Sequence, residues 1–121
     1  MTLKRISLQL ALNPGTDAVP GQGYTIIAPL TAEGRLDVDG WRANRTDCRV
    51  YRLHPDPAEQ ADGWLTHRGN NWFFRYDEEE EGDDESVHRL GDHVFREGEY
   101  VTVAFHGQTP LTYKVVDIAS L

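Results

Sequence analysis

The chain has 121 residues, 39% of them hydrophobic and 26% charged, with one cysteine and a formal net charge of −8. That length fits one domain and is short for two full cores, and a chain of this size buries roughly 65–70% of its unfolded surface without needing disulfides or a metal. A lone Cys48 rules out an internal disulfide framework, and no apolar run approaches the roughly 20 residues that span a bilayer.

The charge has an address. Asp77 to Glu85 holds eight acids in nine positions, and the remainder balances twelve acids against twelve Lys plus Arg. Ten of those twelve are Arg, but they are scattered along the chain and form no basic stripe to track a phosphate backbone. Nucleic acid is therefore not the expected partner. Met1 to Arg5 leads into alternating residues instead of a continuous apolar stretch, so no signal peptide is expected. A bacterial cytoplasm, with no membrane association, is the expected setting.

Ile6, Leu8, Leu10 and Leu12 alternate with Ser7, Gln9 and Ala11, the period of a half-buried strand over 5–12. Asn13-Pro14-Gly15 ends it in a turn, and a loop runs to about Gln22. Tyr24 to Leu30 is β-branched and aromatic, a second strand, with Pro29 putting its end at an edge or bulge. Ala32 to Arg35 reads as a turn. Asp39 is placed to N-cap a short helix from Gly40 to Arg45, because its carboxylate can accept from free N–H groups of the first turn. Arg49 to Leu53 is a third strand, broken by His54-Pro55-Asp56-Pro57, and a polar loop follows to Gly63.

Trp64 to His67 and Trp72 to Tyr76 flank Arg68-Gly69-Asn70-Asn71, the clearest hairpin signal in the chain. Trp72, Phe74 and Tyr76 share one face of the second strand, with Phe73 and Arg75 opposite. After the acidic loop, strands are expected at Val87 to Leu90 and His93 to Phe95. Arg96-Glu97-Gly98 then turns the chain. Tyr100 to Phe105 and Leu111 to Ile118 complete the series around a second turn at His106-Gly107-Gln108. Seven or eight short strands with turns between them predict an all-β, mainly antiparallel domain over 1–121. The expected form is a small closed or partly open β-barrel of about six to eight strands with at most one short helix.

Catalytic patterns are sparse. Ser7, Ser86 and Ser120 lack a nucleophile elbow, and Gly21-x-Gly23 precedes a strand where a phosphate loop would precede a helix. Cys48, alternating with Val50, reads as an inert half-buried thiol. The five histidines, His54, His67, His88, His93 and His106, fall at strand ends or turns, where a solvated or backbone-bonded imidazole is ordinary. His88, Asp92 and His93, near Glu99, are the set to test for a metal or small ligand, although their spacing matches no cupin-type site. No cofactor is expected. The acidic run lacks the Asp-x-Asp-x-Asp-Gly spacing of a calcium loop, and blocks of like charge usually stay solvated, so a mobile loop is expected over 77–86.

The stretch Trp72-x-Phe74-x-Tyr76-Asp77, followed by Gly91-Asp92-His93-x-Phe95-x-x-Gly98-Glu99-Tyr100-Val101, resembles a family of small uncharacterised bacterial proteins of about this length. The resemblance covers most of the chain and implies no activity or site residues. The shorter Phe95-x-x-Gly98-Glu99-x-Val101-x-Val103 is similar to the turn-into-strand element of many small barrels, including those of translation factors.

The expected function is a non-enzymatic protein-interaction module. Its candidate contacts are the aromatic hairpin residues Trp64, Trp72, Phe74 and Tyr76, for which core or barrel wall is the more ordinary reading, with Glu79, Glu80 and Asp83 of the acidic loop facing a basic protein partner. The alternative is a ligand- or metal-binding barrel, conceivably an enzyme, around His88, Asp92 and His93.

Overall fold

A computed structural model describes residues 3–11, 21–69, 71–75, 85–87, 90, 93–103 and 110–121. They form eight strands: β1 (Leu3–Leu10), β2 (Gly23–Pro29), β3 (Arg49–Leu53), β4 (Ala61–Arg68), β5 (Asn71–Arg75), β6 (Glu85–Val87), β7 (Tyr100–Val103) and β8 (Leu111–Ser120). One helix, α1 (Val38–Ala43), and two short 3-10 turns, Arg45–Asp47 and Pro57–Glu59, complete the described elements. The expected all-β class, strand number and single short helix are what the described residues adopt. No helix among the described residues is long and apolar enough to cross a membrane.

The strands make one antiparallel sheet in the order β6-β5-β4-β3-β2-β1-β8-β7. Its curl follows from three rings. Phe74 on β5 lies three strand spacings from Tyr24 on β2, roughly 14 Å across a flat sheet. Their ring centroids are 5.3 Å apart, and Tyr24 stands equally close, 5.3 Å, to Tyr113 on β8. Only a sheet rolled around its own inner face brings these side chains together. Among the described residues no ladder joins β6 to β7, so the barrel is partly open.

Alternation fills the interior. Ile6 and Leu8, Tyr24, Ile26 and Ala28, Val50, Leu65, and Trp72 and Phe74 all point inward from successive strands. At β8 the alternation breaks at Val115-Val116. Ser7 faces Asp117 while Leu8 faces Val115, so Val116 is an extra, bulged residue. The bulge moves the inward phase from Tyr113 and Val115 to Ile118, which lies opposite Ile6, and leaves Val116 exposed. Pro29, lacking an N–H, ends β2 beyond the last β3 pair. Its carbonyl accepts from Asp37 N–H at 3.0 Å, so no ladder bond is lost.

Several local expectations need correction. The helix starts earlier: Asp37, not Asp39, is the N-cap, its Oδ1 accepting from Gly40 N–H at 3.2 Å. It ends at Ala43 because Asn44 turns back, donating its side-chain amide to the Gly40 carbonyl. Strand β4 begins at Ala61, inside the expected loop, since β3 supplies partners for Ala61, Asp62 and Gly63. Glu85 and Ser86 belong to β6, which pairs with β5, and not to a loop. Residues 93–95 are not a strand: Phe95 N–H donates to Gly34 O at 2.7 Å, tying that segment to the loop after β2. The turn at 13–15, the body of the acidic run at 77–84, and His106 lie outside the described residues.

Candidate functional site

The hairpin is where sequence pattern and surface chemistry meet. Arg68 pairs with Asn71 across a two-residue loop, and Gly69 takes φ 61°, the left-handed value such loops require. That register fixes every pair behind it. Trp64 faces Arg75 on β5 and, on its other side, Arg49 on β3. Thr66 faces Phe73.

Because side chains alternate, this register divides the expected aromatic set. Trp72 and Phe74 are 4% and 0% exposed and belong to the core, so neither offers a binding surface. Trp64 sits on the opposite face, partly exposed, in the company of Phe73 and Arg75. Tyr76, Glu79, Glu80 and Asp83 lie outside the described residues, as do His88 and Asp92. His93 is partly buried, its N–H donating to Leu90 O at 3.3 Å. Among the described residues no group of three or more His, Cys, Asp and Glu is placed to hold a metal ion.

The outer face of β3–β5 instead carries a row of arginines and aromatic rings. The Arg49 guanidinium lies 4.3 Å from the Trp64 ring centroid and 5.8 Å from that of Tyr51, and its Nε–H donates to Gly63 O at 2.9 Å. Arg68 lies 4.6 Å over the Phe73 ring. Each such stack is worth about 0.5–1 kcal/mol at an exposed site, enough to hold an arginine in one orientation.

Beside this face runs a cleft of about 480 Å³, between β4 and the α1/3-10 segment. Among the described residues Trp41, Arg45, Trp64, His67, Arg68 and Arg75 line it. Arg45 stacks 4.9 Å from the Trp41 ring centroid. The His67 imidazole sits 4.6 Å from the Trp72 ring and 5.9 Å from Trp41. Burial, aided by the charge of Arg42, lowers its pKa from the usual 6.5. Three of the described lining residues, Arg45, Arg68 and Arg75, are arginines. A second hollow of about 410 Å³ has mixed charge, with Lys4, Arg96, Glu33 and Glu97 on its walls.

Nucleophilic groups stand apart. Cys48 is fully buried, and burial together with the neighbouring Asp47 carboxylate pushes its thiol up to about 11. His54 accepts Asp56 N–H on Nδ1 at 3.0 Å, a backbone-bonded imidazole.

Sequence reasoning did not single out Trp41, Arg45, Arg49 or Arg68 for this surface. The pairing of Trp64 with Arg75 was available, because a two-residue turn after Arg68 dictates it. The approach of α1 was not, since it depends on the tertiary path of residues 31–48. No family model, curated protein or solved structure matches the chain, so the site rests on its own geometry.

Proposed function

We propose that this protein is a protein-interaction module that docks a partner on the outer face of β3–β5 and in the adjoining cleft. The observation that carries this is the Arg49–Trp64–Arg75 row, three cross-strand neighbours with the tryptophan ring under a hydrogen-bonded arginine. Trp, Tyr and Arg dominate binding energy at protein interfaces, and side chains already held in place lose little entropy on docking. The acidic run begins two residues beyond Arg75 and steers a partner that has a basic surface beside its docking segment, raising the association rate more than the affinity. A bacterial cytoplasm, where Cys48 stays reduced, is the setting we assign.

A photo-crosslinking residue at Thr66, on the same face, tests this in cells. Wild type should trap a discrete partner, Trp64→Ala with Arg49→Ala should lose it, and neutralising Glu78 to Asp84 should weaken trapping chiefly at low salt. Identical crosslinks from all three proteins would sink the reading.

A further inference from the structure

We infer that the mouth of the barrel, at the end where β1 starts, binds a small zwitterion: a free α-amino acid with an apolar side chain. The site goes beyond the docking reading and shares no described residue with the β3–β5 face or its cleft.

The mouth lies where Leu3 of β1 faces Pro29 of β2 and Lys4 faces Ser120 of β8. Lys4 is in phase with the buried Ile6 and Leu8, so alternation puts it on the inner face, above the core and off the outer wall. Its Nζ donates to Ser120 Oγ at 2.6 Å across the two strands. Phe95, 2% exposed, forms the apolar floor with Leu30 and Ile118, which pack against the core. The hydrogen bond from Phe95 N–H to Gly34 O ties the segment 95–97 to the loop 31–34, so the two walls stand together. On the remaining side β8 outruns β7, and Glu97 fills the open ladder position, its Oε1 accepting from Ile118 N–H at 3.1 Å. The hollow so enclosed is about 410 Å³, within the roughly 300–1,000 Å³ of small-ligand sites, and barrel mouths are a common place for them.

Charge then selects the occupant. Lys4 and Arg96 bring positive charge to the rim, and Glu33 and Glu97 bring negative charge. None of the four forms an ion pair with another described residue. A simple anion in the hollow meets two carboxylates, and a simple cation meets two cationic groups. A zwitterion satisfies both signs. Its carboxylate goes to Lys4 and to the two-pronged guanidinium of Arg96, and its ammonium to Glu33 and the second oxygen of Glu97. Rim charges in contact with water contribute little by themselves, so the apolar floor must supply the rest by burying the ligand's side chain. Lys4 and Glu97 are already held by hydrogen bonds, and side chains fixed in advance lose little freedom on binding.

The experiment is a ¹H–¹⁵N titration of the intact protein with L-leucine, with glycine, N-acetyl-leucine and leucine amide as comparison probes. Glycine lacks the apolar side chain, N-acetyl-leucine the ammonium and leucine amide the carboxylate. Leucine at millimolar concentration should shift the amides of residues 31–34 and 95–97 and of Ile118, and bind at least tenfold more tightly than each of the other three. Arg96→Gln and Glu33→Gln, both at exposed positions outside the core, should each weaken leucine binding severalfold. If either variant fails to fold, the comparison of the four probes decides. Absence of leucine-dependent shifts at these amides, equal binding of any comparison probe, or unchanged affinity in either folded variant overturns the inference.

Discussion

The Trp41 indole N–H donates to the Leu65 carbonyl at 2.7 Å, filling the ladder position that the chain vacates when Cys48 N–H turns to Asn44. A side chain from the only described helix thus substitutes for a strand. Trp41→Phe keeps most of the ring packing and leaves that buried carbonyl without a donor. We expect a loss of about 1–3 kcal/mol in urea unfolding, the cost of an orphaned buried acceptor. A change below about 0.5 kcal/mol would mean that water or a shifted backbone replaces the indole.

Cys48 should be chemically silent in the native state. With the thiol at about 11 against the usual 9.0, the unfolded chain releases its proton first as pH rises. The stability tied to this group is therefore complete below pH 9 and declines between about 9 and 11. Alkylation by iodoacetamide at pH 8 should follow global unfolding, accelerating in urea in step with the loss of circular dichroism. Fast labelling without denaturant would contradict the buried placement.

His67 sets the acid side. Its pKa lies below the usual 6.5, so the unfolded state binds a proton more readily than the folded state. Stability is complete above about pH 6.5 and is lost as pH falls through the lower, folded value. His67→Gln should flatten the unfolding midpoint between pH 7 and pH 5 relative to wild type. Parallel pH profiles for the two proteins would show that other groups carry the acid sensitivity.

Gly23 answers a close approach between strands. A Cβ there would stand 2.0 Å from the Leu8 carbonyl oxygen, a backbone atom that cannot swing aside. Gly23→Ala should cost more than ~3 kcal/mol or prevent folding, in the range reserved for severe steric conflict. Gly69→Ala has open space around it and should cost only the ~1–2 kcal/mol of a left-handed backbone. Thermal melts of the two variants rank them directly.

The strands legible in the sequence were those whose alternation serves one buried face. Ile6 and Leu8, Tyr24 with Ile26, and Trp72 with Phe74 took the faces their period demands. The hairpin turn was equally plain, because Gly69 and the polar residues beside it have few other uses. Ala61-Asp62-Gly63 was not legible as strand, since its composition suits a loop and only the ladder to β3 extends it. Residues 93–95 failed in the opposite direction: apolar residues there fill the core from an irregular segment, with Phe95 only 2% exposed. The doublet Val115-Val116 carried the bulge in plain view as a fault in the period. Of the candidate site, Trp64 was found but grouped with the wrong neighbours. Its arginine neighbours come from two other strands: Arg75 follows from the hairpin register, whereas nothing local in the chain announces Arg49.

From β6 to β1 the sheet order is the reverse of the chain order, every step joining consecutive strands; the exception is β1 against β8. Leu121 N–H reaches Leu3 O at 3.0 Å, closing a contact across nearly the whole sequence. During synthesis, the five hairpin steps from β1 to β6 can form as they emerge, whereas the free edge of β1 must wait for residues 111–120. Until then an apolar strand edge is open to other chains, so a nascent or heat-shocked molecule is most vulnerable to aggregation there.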